Sequence, residues 1–396
     1  MKTLGIVAEY NPFHLGHAYH LTRSRRETGA DAVVVAMGGN FTQRGGYAYA
    51  DKFARAEMAI RGGADLVIEL PVSFSLSSAE RFAYGGVYLL SGLADYLSFG
   101  CETSDLGLLE RAAGIVSEEG FTEKVKAKMQ SGVSFAMARE AVLREIDPAC
   151  ATLLSSPNNI LAVEYLKAIK KLSSPLIPLP VARVGAGHGE MDADQGFASA
   201  SAIREMKLND AEEYLPEASF AILKREKQAG RLMEDHDLWD AAMLSSLRRL
   251  SKDELSMLPD VREGLENRLY DALHSETSVE DVVSRANSRR YPSSRIRRCL
   301  MQGFLGLTSS EFSRFPSPLY IRVLAFNDVG RQILSSLRSS PLPVITRGGA
   351  YRELPAEAQG MFSREIVADD IYTSLYPTSC ERKAFSDLYK PPIYIP

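Results

Sequence analysis

Two histidines lie three positions apart in the segment His14-Leu15-Gly16-His17, directly after an apolar run that has the length of a strand. At the start of a helix, these imidazoles would share one face with backbone N–H groups that lack partners within the helix. The positive end of the helix dipole lies at the same place. Gly16 removes a side chain, so a phosphate oxygen or a flat base can approach the backbone. The segment favours binding of a triphosphate.

The same histidine spacing is also typical of a surface helix or a metal site. His20 lies one turn beyond His17, so a zinc site of three histidines is conceivable. The glycine at the centre and the strand-to-helix setting favour phosphate over metal. No metal site is therefore predicted.

Two serines precede an arginine in Ser199-Ala200-Ser201-Ala202-Ile203-Arg204, at the predicted start of another helix. Hydroxyls, backbone N–H groups and a guanidinium can together hold the outer phosphates of a nucleotide. An ordinary capped helix start has the same composition. Ser201 and Arg204 are therefore candidates only in combination with the histidines.

The elements that must position these residues follow a βαβ rhythm through the first half of the chain. Strands are predicted at residues 4–8, 32–37, 66–70, 96–99 and 176–181, and helices at 15–28, 51–61, 78–91 and 159–170. This order predicts an α/β fold with a Rossmann-like parallel sheet. Ligands of such sheets bind at the carboxyl ends of the strands, so the loops there should share one crevice.

Long amphipathic stretches with few strand signals replace this rhythm from about residue 206. The sequence thus predicts a catalytic α/β domain over residues 1–205 and a helical domain over 206–340. Residues 341–396 contain short extended pieces with Pro, Gly and Tyr. They are predicted to form a small extension packed on the helical domain.

The composition is that of an ordinary soluble protein: 396 residues, 45% hydrophobic and 24% charged, with a net charge of −4. Contact with nucleic acid would need a local basic patch. The four cysteines show no Cys-x-x-Cys spacing, which fits a reducing cytoplasm. No apolar run approaches 18 residues and no leader precedes the first strand, so secretion and membrane insertion are not expected.

The densest positive segment covers residues 285–298 and contains six arginines and one tyrosine. Arginines contact phosphates, and an aromatic ring can stack on an unpaired base. The residues predicted to contact RNA are Arg289, Arg290, Arg295, Arg297 and Arg298. A solvated helix face is the alternative. Lys52 and Arg55 could extend this track to the crevice or lie on an ordinary helix surface.

Several segments together resemble the bacterial tRNA(Met) cytidine acetate ligase family, within the nucleotidyltransferases that carry His-x-Gly-His. They are residues 9–17, 41–45, 65–71, 157–161, 198–204 and 295–300. The likeness covers most of the chain. Gly38-Gly39 stands where a Ser-Gly pair is expected, and Pro292 where a threonine is expected. Neither position is assigned to chemistry.

The resemblance implies an enzyme that activates acetate with ATP, forming acetyl-adenylate and pyrophosphate. The acetyl group would then pass to N4 of the wobble cytidine of elongator tRNA(Met), giving N4-acetylcytidine and AMP. Mg²⁺ is expected to accompany ATP, although no dedicated carboxylate cage is evident. Elongator tRNA(Met) and acetate are the expected partners, and no membrane or protein partner is implied.

By the same resemblance, His14, His17 and Arg204 are the expected catalytic residues. The expected ATP contacts are Val7, Ala8, Glu9, Tyr10, Asn11, Pro12, Phe13, His14, Gly16, His17, His20, Gly100, Asn158, Arg183, Ser201 and Arg204. Three of these have simpler alternatives. Asn158 and Asn159 could cap a helix, Arg183 could be a surface charge, and Gly100 could serve a strand-end turn.

Two other functions stay open from the residues alone. One is a small-molecule nucleotide adenylyltransferase, which uses the same histidine and Ser/Arg devices; the chain length and the helical domain argue against it. The other is a noncatalytic RNA-binding relative. The presence of His14, His17, Ser201 and Arg204 argues against that.

Overall fold

The computed structural model describes residues 1–130, 132–133, 135–183, 191–192, 197–337 and 340–396. The strands are β1 Thr3–Ala8, β2 Ala32–Gly38, β3 Leu66–Leu70, β4 Tyr96–Cys101, β5 Ile177–Ala182, β6 Met191–Asp192, β7 Phe197–Ala198, β8 Ile321–Phe326, β9 Val344–Ile345 and β10 Ile393–Tyr394.

The helices of the first half are α1 Leu15–Thr28, α2 Lys52–Arg61, α3 Val72–Ser75, α4 Ala79–Leu90, α5 Leu106–Val116, α6 Phe121–Met129, α7 Phe135–Ile146, α8 Pro148–Leu153, α9 Pro157–Lys171 and α10 Ala200–Glu205. Those of the second half are α11 Glu217–Gln228, α12 His236–Leu247, α13 Lys252–Ser256, α14 Leu265–Ser275, α15 Val279–Ala286, α16 Ser293–Phe304, α17 Ser309–Arg314, α18 Asp328–Ser336, α19 Ala356–Ser374 and α20 Ser386–Tyr389. Short 3₁₀ turns cover Glu212–Tyr214, Gly348–Glu353 and Ser379–Glu381.

The main sheet has the strand order β10-β8-β3-β2-β1-β4-β5, and β9 pairs with β8. Strands β1 to β5 are parallel to their neighbours among themselves, as the βαβ rhythm predicts. The chain adds β2 and β3 on one side of β1 and then places β4 on the other side. This reversal is the switch point at which open α/β sheets bind ligands. The α/β prediction is confirmed.

Strand β2 shows why the strands of the first half could be predicted from the sequence. Its run Ala-Val-Val-Val-Ala-Met-Gly is buried at every position, which is typical of a parallel strand covered by helices on both faces. The predicted ends of the first five strands and their helices lie within two residues of the observed ends.

The carboxyl-terminal part differs from its expected secondary structure. Strand β8 joins the main sheet antiparallel to β3, and β10 pairs with β8. The expected extended pieces enclose the 19-residue helix α19. By pairing with β3, strand β8 covers an edge of the sheet. Without it, the backbone N–H and C=O groups of β3 along that edge would be unpaired. The three-segment division of the chain stays a prediction.

The helical region packs on the α/β region through a shared apolar core. Trp239 of α12 lies in one cluster with Phe41 from the loop after β2 and Tyr372 of α19. The rings of Phe41 and Trp239 are 6.2 Å apart. The loop after β2 therefore packs against both α12 and α19. Among the described residues, no helix combines the length and apolar character that crossing a membrane requires.

Candidate active site

A cavity of about 1340 Å³ lies at the carboxyl ends of β1, β4 and β5. Its wall includes the first turn of α1, the loop after β2, the start of α9, and α10, together with residues of α11 and α16. The cavity brings together these predicted site residues: Val7, Ala8, Glu9, Tyr10, Asn11, His14, Gly16, His17, His20, Gly100, Asn158, Arg183, Ser201 and Arg204. Pro12 and Phe13 are not part of its wall.

Phe13 serves packing at this junction. Its side chain is fully buried, and its ring lies edge-on to Tyr10 with the centroids 4.8 Å apart. A Cβ on Gly62 would come within 2.3 Å of the Phe13 ring. The ring therefore fixes the end of β1 against α2 from the side away from the cavity.

The two motif histidines are fixed by the backbone of their own turn. His14 is the N-cap of α1, and its Nδ1 accepts the N–H of Gly16 at 3.0 Å. Nδ1 of His17 accepts the N–H of His14 at 3.3 Å. The rings stack with centroids 3.7 Å apart. Because each Nδ1 accepts a hydrogen bond, each neutral ring carries its proton on Nε2 and can donate it.

Both rings are neutral at ordinary pH. Burial lowers the pKa of His14 to about 3, and the charges of Arg183 and Arg204 lower it further. Burial also lowers the pKa of His17 well below its usual value, with His14 and Arg183 contributing. Both rings can therefore act as hydrogen-bond donors of fixed protonation.

Gly16 is required by the His14 ring itself. A Cβ at this position would lie 2.9 Å from Cε1 and 3.0 Å from Nδ1 of His14. The glycine thus makes room for the capping imidazole. The prediction from sequence considered only the approach of a ligand.

The serine and arginine cluster begins α10. Ser199 Oγ accepts the N–H of Ala202 at 3.2 Å, so the capped-helix interpretation holds for this serine. Ser201 Oγ lies 3.0 Å from Ser199 Oγ, and both serines line the cavity. Arg204 Nη1 donates to the carbonyl of Asn11 at 2.7 Å. Arg204 therefore joins α10 to the loop after β1.

The two asparagines at α9 have different surroundings. Asn158 lines the cavity, and its Nδ2 donates to Glu102 Oε1 at 2.8 Å. Asn159 is buried, and its Oδ1 accepts the N–H groups of Glu102 and Thr103 at 3.0 and 3.1 Å. Glu102 Oε2 accepts the N–H of Asn159 at 2.9 Å. The carboxylate of Glu102, rather than the asparagine pair, caps this helix.

Arg183 and His20 lie near the histidine pair. Arg183 is exposed on the cavity wall, and its charge helps to lower the pKa of His14, His17 and His20. His20 Nε2 is 3.0 Å from Ser98 Oγ, which is 2.7 Å from Ser24 Oγ. This buried network explains the position of His20. A Cβ on Gly100 would make only ordinary contact with Arg183, at 3.5 Å.

The predicted basic track through Lys52 and Arg55 is wrong, because both side chains are buried. Lys52 Nζ pairs with Glu69 at 2.9 Å and with Asp387 at 3.0 Å. Arg55 donates to the carbonyls of Glu9 and Ala50 at 2.6 and 2.9 Å, and to those of the Gly38-Gly39 pair. Strands β8 and β10 and helix α11 cover α2, and they turn a predicted surface helix into a buried one.

The cavity also contains residues that the sequence did not single out. The loop after β2 contributes Gln43, Arg44 and Tyr47. Lys224 and Lys227 of α11 lie on the wall formed by the helical region. Residues 41–45 were part of the family resemblance, so Gln43 and Arg44 could have been found. The lysines reach the cavity only through tertiary packing and have no local signal.

The arginine segment lies mainly outside the cavity, and only Arg297 among the predicted RNA contacts is on the described cavity wall. Arg297 pairs with Glu280 and Arg298 with Asp260, the latter at 2.8 Å. Arg290 and Arg295 share Glu263, at 3.3 and 3.8 Å. Arg289 is exposed.

Helix α16 nevertheless touches the active-site loop. A Cβ on Gly45, which has φ of +82°, would lie 2.3 Å from the backbone of Arg297 and Arg298. Only glycine permits both this φ and this close approach. The loop that contributes Gln43 and Arg44 to the cavity therefore rests directly on the arginine helix.

Comparison with known proteins matches the whole of this architecture. A model of the HIGH Nucleotidyl Transferase family matches residues 1–387. A tRNA(Met) cytidine acetate ligase from Thermoanaerobacter sp. (strain X514) is 40% identical over 392 residues, which cover 96% of each chain. One from Acetivibrio thermocellus is 37% identical over 404 residues and covers 97% of each chain.

Solved structures agree with these sequence matches. A crystal structure of Thermotoga maritima TmcAL bound with alpha-thio ATP is 32% identical, covers 100% of both chains and superposes with a TM-score of 0.92. Its apo form gives a TM-score of 0.94. The family resemblance noted in the sequence is confirmed. The chain belongs to the tRNA(Met) cytidine acetate ligase family of enzymes, within the HIGH nucleotidyl transferases.

Proposed function

We propose that this enzyme activates acetate with ATP as acetyl-adenylate and transfers the acetyl group to N4 of the wobble cytidine of elongator tRNA(Met). One observation carries the proposal. Two neutral imidazoles with Nε2–H donors share one cavity with Arg183, Ser201 and Arg204, at the switch point of the sheet. The Thermotoga maritima relative, which matches the full chain, binds an ATP analogue.

In the first step, an acetate oxygen attacks the α-phosphorus of ATP and pyrophosphate leaves. Negative charge grows on the leaving phosphates during this step. His14 and His17 donate hydrogen bonds to those oxygens from fixed positions, and the positive end of α1 adds to the same field. Arg204 and Ser201 brace the outer phosphates. Asn158, at the start of α9, and Arg183, directly after β5, contact the nucleotide.

In the second step, the amino group of the cytidine attacks the acetyl carbonyl and AMP leaves. The tRNA backbone approaches along the wall formed by the helical region, where Lys224, Lys227 and Arg297 line the cavity. Arg289, Arg290, Arg295 and Arg298 continue the basic surface outward, and each contact with a phosphate releases counterions.

We propose that Mg²⁺ accompanies ATP through phosphate oxygens and water. In the described part of the chain, no group of three His, Cys, Asp or Glu side chains could hold a metal ion. No step above depends on a protein-bound metal. We place the reaction in the cytoplasm, which the four free cysteines favour.

The test is to incubate the protein with ATP, Mg²⁺, labelled acetate and unmodified elongator tRNA(Met), and then to digest the RNA for mass spectrometry. Labelled N4-acetylcytidine at the wobble position that requires both ATP and acetate is the expected result. Absence of label, together with pyrophosphate release that needs a nucleotide-like small molecule, would instead identify a small-molecule adenylyltransferase. Absence of any ATP turnover would leave a noncatalytic RNA-binding relative.

A further inference from the structure

Attack by the cytidine amino group creates a proton that the enzyme must remove. The N4 lone pair forms a bond to the acetyl carbon, and the bond between that carbon and the phosphate oxygen of AMP breaks. The nitrogen then carries one hydrogen more than the product amide. General-base removal of such a proton contributes about 10²–10⁴-fold to rate in enzymes.

His14 and His17 are poorly suited to accept this proton. Nδ1 of His14 and of His17 already accepts a backbone N–H, and Nε2 carries the ring proton. The lowered pKa of both rings, about 3 for His14, makes them weak bases. Tyr10, Tyr47 and Tyr165 also line the cavity, but burial raises the pKa of each, so they remain protonated.

Glu9 is the carboxylate on the catalytic side of the cavity. It follows β1 directly and lies five residues before His14. Its Oε1 accepts the N–H of Gln43 at 2.6 Å. Within the described residues, Oε2 has no hydrogen-bond partner, so one carboxylate oxygen is held in place and the other is available.

The other two carboxylates on the described cavity wall lie elsewhere. Glu234 Oε1 accepts hydrogen bonds from Tyr49 at 3.0 Å and from Lys227 at 2.8 Å. Glu205 is exposed and follows Arg204 on α10. Of the three, Glu9 is the partly buried one, and in the described part of the chain it keeps one oxygen without a hydrogen bond on the cavity wall.

We propose that Glu9 is the general base of acetyl transfer, accepting the N4 proton of the cytidine as AMP leaves. The products are then the N4-acetyl amide, AMP and a protonated Glu9, which returns its proton to solvent. This role rests on the proposed function. It assigns Glu9 to the second step only, because no proton moves when acetate attacks ATP.

The electrostatics of Glu9 suit this role. Burial raises its pKa, while the Gln43 N–H and the charges of Arg44, Arg55 and Arg204 oppose the rise. Tyr165 stays neutral, because burial and the Glu9 charge raise its pKa. A carboxylate with a raised pKa is a stronger base, and it remains ionised above that pKa.

The experiment separates the two steps in Glu9→Gln, whose amide oxygen can still accept the Gln43 N–H. Acetate-dependent exchange between ATP and labelled pyrophosphate reports the first step. Single-turnover acetylation of tRNA reports the second. We expect acetyl transfer to fall about 10²–10³-fold, well beyond any loss of exchange that follows from changing an expected ATP contact. The wild-type transfer rate should decline on acidification below the Glu9 pKa, and the variant should lack that decline.

Glu205→Gln is the matched control, since it removes the exposed carboxylate of the same cavity; both steps should be retained. Equal transfer by Glu9→Gln and wild type would overturn the proposal, as would an equal loss of exchange and transfer. If Glu9→Gln does not fold, Glu9→Asp replaces it, with the same acid decline and a slower transfer expected. If the wild-type protein itself shows no acetate-dependent exchange or no tRNA acetylation, the proposed function has failed rather than the role of Glu9.

Discussion

The histidine turn and the arginine helix hold their functional side chains in opposite ways. His14 and His17 are fixed by backbone N–H groups within their own turn, and burial keeps them uncharged. The arginines of α16 lie near the surface and pair with acids from other elements, as Arg297 does with Glu280 and Arg298 with Asp260. The histidines keep their Nε2–H donors available for a ligand, whereas the arginines are already in ion pairs.

This difference indicates how each region would respond to a ligand. Donors fixed before the reaction stabilise developing charge without reorganisation. Arginines in partly exposed ion pairs are weakly held, because such pairs contribute about 0–1 kcal/mol. They can exchange a carboxylate for an RNA phosphate at low cost. The first region should be sensitive to geometry and the second to salt.

The largest expected effect comes from His17→Ala. Loss of one preorganised donor should reduce acetate-dependent pyrophosphate exchange about 10²–10³-fold. tRNA affinity, measured by filter binding, should be unchanged, because the proposed phosphate contacts are the arginines and not this ring. His274→Ala is the control, since this histidine is exposed on α14. Full exchange activity in His17→Ala would contradict the assigned site.

Gly45→Ala tests whether the two regions are mechanically joined. The added methyl group would meet the backbone of Arg297 at 2.3 Å and would also strain a residue with φ of +82°. Together these effects should lower the free energy of unfolding by roughly 2–4 kcal/mol, measured by urea denaturation. The control is Gly92→Ala, because an added Cβ at Gly92 would meet open space. Its free energy of unfolding should fall far less. Similar losses in both variants would show that the contact is not essential.

Acidification should reveal the buried, neutral histidines. The unfolded chain binds a proton at His14 near pH 6.5, whereas the folded pKa is about 3. Stability is therefore complete above pH 6.5 and is lost as the pH falls from there towards 3. For His14 the loss at pH 5 is about 2 kcal/mol. His14→Asn should show a shallower decline between pH 7 and 5 in urea denaturation; an unchanged decline would mean that the ring is charged when folded.

The smallest expected effect is that of Arg297→Gln. Removal of one phosphate contact should weaken tRNA binding by roughly fivefold and reduce the slope of log K against log salt by about 1. Arg331→Gln is a matched control, because Arg331 is likewise an arginine paired with an acid, Asp328. An equal salt slope for Arg297→Gln and wild type would exclude Arg297 from the RNA interface.

Local sequence patterns were sufficient to predict the parallel strands and the histidine turn. The continuous apolar run of β2 and the helix beginning at Leu15 depend on residues adjacent in sequence, and both are observed as predicted. The same holds for the cap at Ser199. The catalytic and ligand-binding roles of these residues stay predictions.

At other positions, predictions from the sequence were wrong because long-range packing decides the surroundings of the side chain. Lys52 and Arg55 were interpreted as possible surface charges, because nothing near them indicates that strands β8 and β10 will cover α2. Asn159 was interpreted as a cap, but its partners are the backbone N–H groups of Glu102 and Thr103, more than fifty positions earlier. Charged and amide side chains take their role from such partners, which local patterns do not specify.

The sequence by itself determined the α/β framework, the His-x-Gly-His turn and the family, because apolar periodicity and short motifs are local properties. The tertiary structure decided which charges are buried, which residues of α11 and α16 reach the cavity, and that Gly45 touches the arginine helix. It also decided that the Gln43 N–H holds Glu9 on the cavity wall. These outcomes depend on contacts between distant segments, and only the folded chain brings those segments together.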